Sequence, residues 1–147
     1  MADPGAKALQ NYAGYLATLT PAGLDQLGGF VTDDVHFRDP FNDIRGRDKM
    51  KAIFARMFED CTDIRFIIGG SLQKGDEAFL KWTFHFRPRR FGGGRIWTAI
   101  GVSELHFAPD GRVAAHIDHW DSGSQFYARL PLVGSLVRLV RNRLRQD

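Results

Sequence analysis

Apolar residues recur at helical spacing through much of the first sixty positions, and on every second position over most of the rest. Leu9, Tyr12, Leu16 and Leu19 lie three or four apart, so residues 7–19 are expected to form a helix with one apolar side. Thr20-Pro21 then supplies a hydroxyl cap and a proline suited to a first helical turn. A short helix follows with Leu24, Leu27 and Phe30 on its apolar side. Asp33-Asp34 reads as a turn. Residues 35–40, VHFRDP, alternate as a strand does, with Val35, Phe37 and Asp39 on one face and His36 and Arg38 on the other, and Pro40 ends it. Residues 47–60 carry Met50, Ile53, Phe54, Met57 and Phe58 on one side of a third helix.

After residue 60 the period changes. Strand signals cover Arg65–Gly69, Ala78–Arg87, Arg95–Phe107 and Arg112–Asp121, separated by Lys74-Gly75-Asp76, by the hairpin connection RRFGGGR (89–95) and by Pro109-Asp110-Gly111. The remainder, 132–145, places Leu132, Val133, Leu136, Val137, Val140 and Leu144 among arginines, as an amphipathic helix with a basic side does. Helices first, then an antiparallel run of strands, is an α+β plan: a cone-shaped curved antiparallel sheet with the N-terminal helices on its concave face and a C-terminal helix added. A single domain over 1–147 is expected, with its core at about 7–121 and an extension at 122–147.

Strand parity sorts the side chains. Leu80, Trp82, Phe84 and Phe86 share one face, opposite Lys81, Thr83, His85 and Arg87. Trp97, Ala99, Gly101 and Ser103 oppose Thr98, Ile100, Val102 and Glu104, and His116, Asp118 and Trp120 oppose Ile117, His119 and Asp121. The aromatic faces carry the larger apolar area and should turn toward the helices. The inner surface then combines Trp82, Trp97, Trp120 and Phe54 with a few polar groups: Asp39, Asp118, His116, Ser103 and, from the first helix, Tyr15. His36, His85, His106 and His119 fall on the outer face.

Two carboxylates in one apolar cavity suggest a site, because a desolvated acid raises its own pKa. Asp39 has two readings: a base that takes a proton from carbon beside a carbonyl, or an Asp before Pro that caps a turn. His116 and Asp118, two apart on one face, form either an acid/base pair or a polar brace. They are too few to hold a metal, and no metal is expected.

Composition and charge narrow the setting. Of 147 residues, 44% are hydrophobic and 25% charged, an ordinary balance for a globular chain. The net charge of +3 resides in residues 132–147, where Arg138, Arg141, Arg143 and Arg145 face only Asp147. A nucleic-acid partner wants a basic face on the folded body and is not expected. The lone Cys61 excludes an internal disulfide and fits a reducing, cytoplasmic setting. No leader is expected in MADPGAKALQ, and no apolar run is long enough to span a bilayer. The basic tail helix is expected to pack on its own fold or on a dimer partner, with no membrane partner.

The segments FVTDDVHFRDP, EAFLKWTFHF and SELHFAPDGRVAAHID, with Gly46–Met50 opening a helix, resemble the steroid delta-isomerase branch of the nuclear transport factor 2-like superfamily over residues 10–121. The resemblance implies the same α+β cone, a homodimer through the outer sheet face, and catalysis by a helix tyrosine and a strand aspartate, matched here by Tyr15 and Asp39. Those isomerases use a protonated aspartate as second oxyanion donor, where this chain has Ser103, and are typically apolar where it has His116 and Asp118. The resemblance therefore implies a pocket reworked for another hydrophobic small molecule, with a carbonyl compound as the expected kind. Isomerase, cyclase or dehydratase chemistry without a cofactor fits it, as in the SnoaL-like polyketide cyclases, which use one acid/base aspartate. A non-catalytic binding or dimeric interaction module of the superfamily is the alternative.

Overall fold

The structure, a computed structural model, describes residues 4–146; Asp147, which offsets one tail arginine, and the first three residues of the N-terminal stretch lie outside them. Helix α1, Pro4–Ala17, buries Leu9, Tyr12, Tyr15 and Leu16, the side its spacing predicts. Thr20 does act as a cap: its Oγ1 accepts from the Gly23 amide at 3.2 Å, at the start of a 3₁₀ helix over Ala22–Gly29 that buries Leu24 and Leu27. Strand β1 is Val31–Arg38, β2 is Asp43–Arg45, and α2 is Arg47–Asp60, with Met50 and Phe54 buried. Four long strands follow: β3 Cys61–Lys74, β4 Glu77–Pro88, β5 Trp97–Phe107 and β6 Val113–Trp120. A one-turn helix α3, Ser122–Gln125, a 3₁₀ turn over Tyr127–Arg129, and α4, Val133–Leu144, end the chain.

These strands make one six-stranded sheet in the order β2-β1-β6-β5-β4-β3. Every neighbouring pair is antiparallel except β1 and β6, which run parallel, so the sheet is mixed where an antiparallel one was expected. The parallel pair follows from the chain order: β1 enters before α2, and the later strands return to pair with its free side. Asp33-Asp34 is not a turn. It lies inside β1, where the register to β6 shifts between Val31 and His36, and the exposed pair absorbs the irregularity as a bulge. β2 went unforeseen because three polar-edged residues carry no period.

Burial alternates along β4 and β5 with the predicted parity. Two apolar clusters result. One joins α1, the 3₁₀ helix and α2 to β1, with Tyr12, Leu27, Phe37, Met50, Leu80 and Leu105 nearly or fully buried. The other gathers Trp82, Phe86, Trp97 and Ala99, with Phe126 from beyond the sheet packed against it. Each large aliphatic or aromatic side chain so buried is worth about 1.5–3 kcal/mol, which is what holds the helices onto the sheet.

Trp82, Gly101 and Trp120 form one row across β4, β5 and β6 on the inner face. A Cβ at Gly101 would stand 2.6 Å from the Trp82 ring and 2.7 Å from the His119 carbonyl oxygen. The glycine is what lets the Trp82 indole lie across β5. Gly101→Ala is expected to destabilise the protein by about 1–3 kcal/mol, as overpacking does, and thermal denaturation should show Tm lowered by several degrees. An unchanged Tm would mean that the strand shifts freely at this row.

Candidate functional site: two carboxylates on an aromatic cavity

Between the two clusters lies a cavity of about 440 Å³. α1 and α2 contribute Leu16, Ile53, Phe54 and Met57, β1 contributes Phe37, and the sheet contributes Phe66, Trp82, Phe84, Phe86 and Ala99. Phe41, Phe91 and Phe126 belong to its wall as well. Phe126 answers what the C-terminal extension does here: it closes one side and neither fills nor covers the whole space. Against this apolar surface the polar groups are few: Asp39, Asn42, Arg56, Asp60, Cys61, His116 and Asp118.

Asp39 reaches the cavity from the turn after β1 instead of from the strand itself. Its Oδ1 accepts the Phe41 amide at 2.8 Å, the Asn42 amide at 2.7 Å and Asn42 Nδ2 at 3.0 Å. The turn-capping reading and the cavity reading therefore hold together. Burial pushes the Asp39 carboxyl above its ordinary value of 3.8; the hydrogen bonds from Phe41 and Asn42 oppose this, and the Asp118 charge adds to it.

Asp118 is held differently. His116 Nε2 lies 2.9 Å from Asp118 Oδ1, and the Ser103 hydroxyl donates to the same oxygen. Ser103 in turn accepts from Trp82 Nε1 at 2.9 Å. On the far side of His116, the Tyr12 hydroxyl stands 2.6 Å from Nδ1. Burial first, then the charge of Asp118 and the presence of Tyr15, push the Tyr12 hydroxyl well above its ordinary value of 10. Tyr12 therefore keeps its proton; the Asp118 carboxylate can only accept, so Nε2 carries the hydrogen aimed at it, and in the neutral ring Nδ1 accepts from the Tyr12 hydroxyl. Both donors converge on Oδ1, and among the described residues no hydrogen bond reaches Oδ2.

The predicted site residues thus divide. Asp39, Asp118, His116, Trp82, Trp120 and Phe54 line the cavity together. Ser103 is fully buried behind the wall, between Trp82 and Asp118. Trp97 also stands behind it, against Phe86, Phe91 and Phe126. Tyr15 is not at the site: its hydroxyl donates to the Gly23 carbonyl at 2.9 Å and its ring stacks on Phe30 at 4.1 Å. The tyrosine that serves the site is Tyr12, one helical turn earlier, and its signal was its place on the apolar side of α1. Phe41, Asn42 and Phe126 were missed because loop residues carry no periodicity. The outer-face histidines sit as expected. His106 and His119 both lie 2.9 Å from Glu104 carboxylate oxygens, and His36 pairs with Asp43. Arg87, near the end of β4, is taken up by Asp63 and the Gly94 carbonyl.

The comparisons with known proteins agree with this fold. Residues 12–116 match the SnoaL-like domain model, and the chain belongs to that family. Among curated proteins, none matches the sequence. A nuclear transport factor 2-like protein of unknown function from Burkholderia pseudomallei superposes with TM-score 0.68 at 14% identity, covering 95% of this chain and 98% of that one. An epoxide hydrolase from M. tuberculosis, described as resembling the LEH type, gives 0.66 at 19% identity over 98% and 95%. A protein with a ketosteroid isomerase-like fold from Catenulispora acidiphila, solved with trimethylamine, gives 0.67 at 13% identity over 80% and 88%.

Two predictions follow from this geometry. Tyr12→Phe leaves the buried His116 Nδ1 without its donor, which should cost about 1–3 kcal/mol. Denaturant unfolding measures the loss, and ring ¹⁵N shifts should show His116 losing its fixed tautomer. Asp39, with a folded pKa above the unfolded one, weakens the fold when ionised, and this destabilisation disappears as pH falls through the folded pKa. Carboxyl ¹³C titration should find Asp39 above 3.8, and Asn42→Ala, which removes a donor to the carboxylate, should raise it further.

Proposed function

We propose that the protein is a cofactor-independent acid/base enzyme acting in the cytoplasm on a small hydrophobic molecule with a carbonyl. The observation that carries this reading is the placement of Asp39 and Asp118 on one aromatic cavity, one carboxyl raised by burial and the other oriented by a fixed histidine. Asp39 takes a proton from the carbon beside the carbonyl, and the electron pair moves onto the carbonyl oxygen. Asp39 then gives back the proton it took, while Asp118, aimed by His116 and Ser103, holds the substrate. Return of that proton to a different carbon is isomerisation; its delivery to a β-hydroxyl that leaves as water is dehydration; its delivery to the oxygen of a second carbonyl attacked by the enolate carbon is cyclisation. Tyr15 and Ser103 have no part as oxyanion donors, because their hydroxyls are committed elsewhere.

The test is deuterium uptake beside the carbonyl in a panel of ketones and ketosteroids in heavy water. Asp39→Asn should lower the rate by roughly 10²–10⁴, the usual worth of a positioned base. The turn hydrogen bonds of Asp39 favour a second reading, a non-catalytic binding module. That reading predicts ligand-induced stabilisation that survives Asp39→Asn, with the ligand recovered unchanged.

The assembly proposed with this function is a homodimer through the outer sheet face. There Leu72 and Phe79 are exposed as a cross-strand pair of β3 and β4, and Ile67 and Ile100 are exposed on either side of Thr83 four residues along β4, apolar groups that a partner sheet would cover. Phe79→Glu should shift the protein toward monomer in sedimentation velocity. A monomeric wild type would sink the dimer reading.

A further inference from the structure

The tail helix does not bury its apolar stripe. Val133, Leu136, Val137, Val140 and Leu144 recur at the three- and four-residue spacing of one helix face. Leu136 is 63% exposed, Val140 52% and Leu144 77%. What α4 turns toward its own fold is a different side. Gly134 is buried, so close that a Cβ would stand 2.5 Å from the Ala128 carbonyl oxygen, and Arg138 donates to that same carbonyl. Arg141 reaches Ser124 Oγ at 3.5 Å. The tail helix thus packs on its own fold, one of the two placements expected for it, but not through its apolar side. Its polar side is the docked one, because Gly134 permits a closer approach there than any leucine would.

From these positions we propose that α4 lies in the interfacial plane of an anionic lipid surface, its stripe in the acyl boundary. The charge supports that occupant. Arg143 flanks the stripe on the Leu136 edge and Arg141 on the Val137 edge, and α4 carries no acidic residue. Long cationic side chains on both edges of an apolar stripe reach lipid phosphates while the stripe enters the bilayer. Leu132 extends the stripe: at φ 61 and ψ −60, in a tight turn closed by the Val133 amide on the Pro131 carbonyl, it is 88% exposed. A second copy fits this stripe poorly. Two α4 helices packed stripe to stripe would bring four arginines together, and α4 has no acidic residue of its own to offset them. A twelve-residue helix is also only about 18 Å long and about 10 Å across, a face on the order of 200 Å², far short of the roughly 800 Å² per partner that a stable interface buries. No described helix is long and apolar enough to cross a membrane, so the association is lateral. It replaces the expectation that no membrane is among the partners, and it does not depend on the chemistry of the cavity.

The experiment is co-sedimentation of the whole chain with vesicles of phosphatidylcholine alone and of phosphatidylcholine mixed with phosphatidylglycerol. The anionic vesicles should bind about tenfold or more tightly, as two arginines near an anionic leaflet provide, and added salt should weaken the binding. Leu136→Ser with Val140→Ser should abolish it at unchanged Tm, since both residues are solvent-facing. Arg141→Gln with Arg143→Gln should remove the preference for phosphatidylglycerol. No binding to anionic vesicles would overturn the proposal, as would binding that the double serine variant retains. A change of oligomeric state in that variant, without vesicle binding by the wild type, would give the stripe to a second copy.

Discussion

A buried histidine ring with two polar nitrogens must be satisfied on both sides, and the architecture of this protein is arranged around that requirement. His116 is 3% exposed. Leaving either nitrogen unpaired would cost about as much as a hydrogen bond is worth in an apolar interior. Tyr12 comes from α1 and Asp118 from the same strand two residues on, so the ring ties the first helix to the last strand of the sheet. Ser103 and Trp82 extend the chain across β5 to β4. One line of donors and acceptors thus spans helix and sheet beside the cavity. A shift of α1 along its axis would break it.

The same line gives the cavity its asymmetry. Asp118 receives its donors through rigid, buried partners, whereas Asp39 is held by the backbone of its own turn. One carboxylate is fixed by tertiary packing and the other by local chain geometry. Burial raises Asp39, and the neighbouring negative charge of Asp118 works in the same direction. Two acids with different supports on one apolar surface make a division of labour between proton transfer and substrate holding chemically reasonable, which is the basis of the function proposed above. The tail contributes Phe126 to the wall and then turns its polar side to the fold, and this leaves the α4 stripe outward.

Much of this was legible in the residues. The period-two strands predicted which side chains face inward, and the burial of β4 and β5 follows that parity. Helix α2 occupies the predicted residues 47–60, because a run of aliphatic and aromatic residues at helical spacing admits few other solutions. Asp39, His116, Asp118, Trp82, Trp120 and Phe54 were all assigned to the inner surface and all line the cavity. The misplacements have a common character. Tyr15 and Tyr12 are both on the buried side of α1, and helical spacing does not distinguish which ring meets His116. The Asp33-Asp34 pair has the composition of a turn, yet pairing with β6 kept it in a strand as a bulge.

Spacing along the chain by itself determined the main helices, the longer strands, their inner and outer faces and the placement of Asp39, His116 and Asp118 on the inner side, because those depend on local periodicity and on the free energy of apolar burial. It also determined that the tail is an amphipathic, basic helix. Which tyrosine completes the polar chain, that β1 runs parallel to β6, that Asp39 works from a turn, and that α4 leaves its stripe in solvent were decided only in three dimensions. Each depends on the distance between residues far apart in sequence, as Tyr12 and His116 are, and no local period encodes that distance.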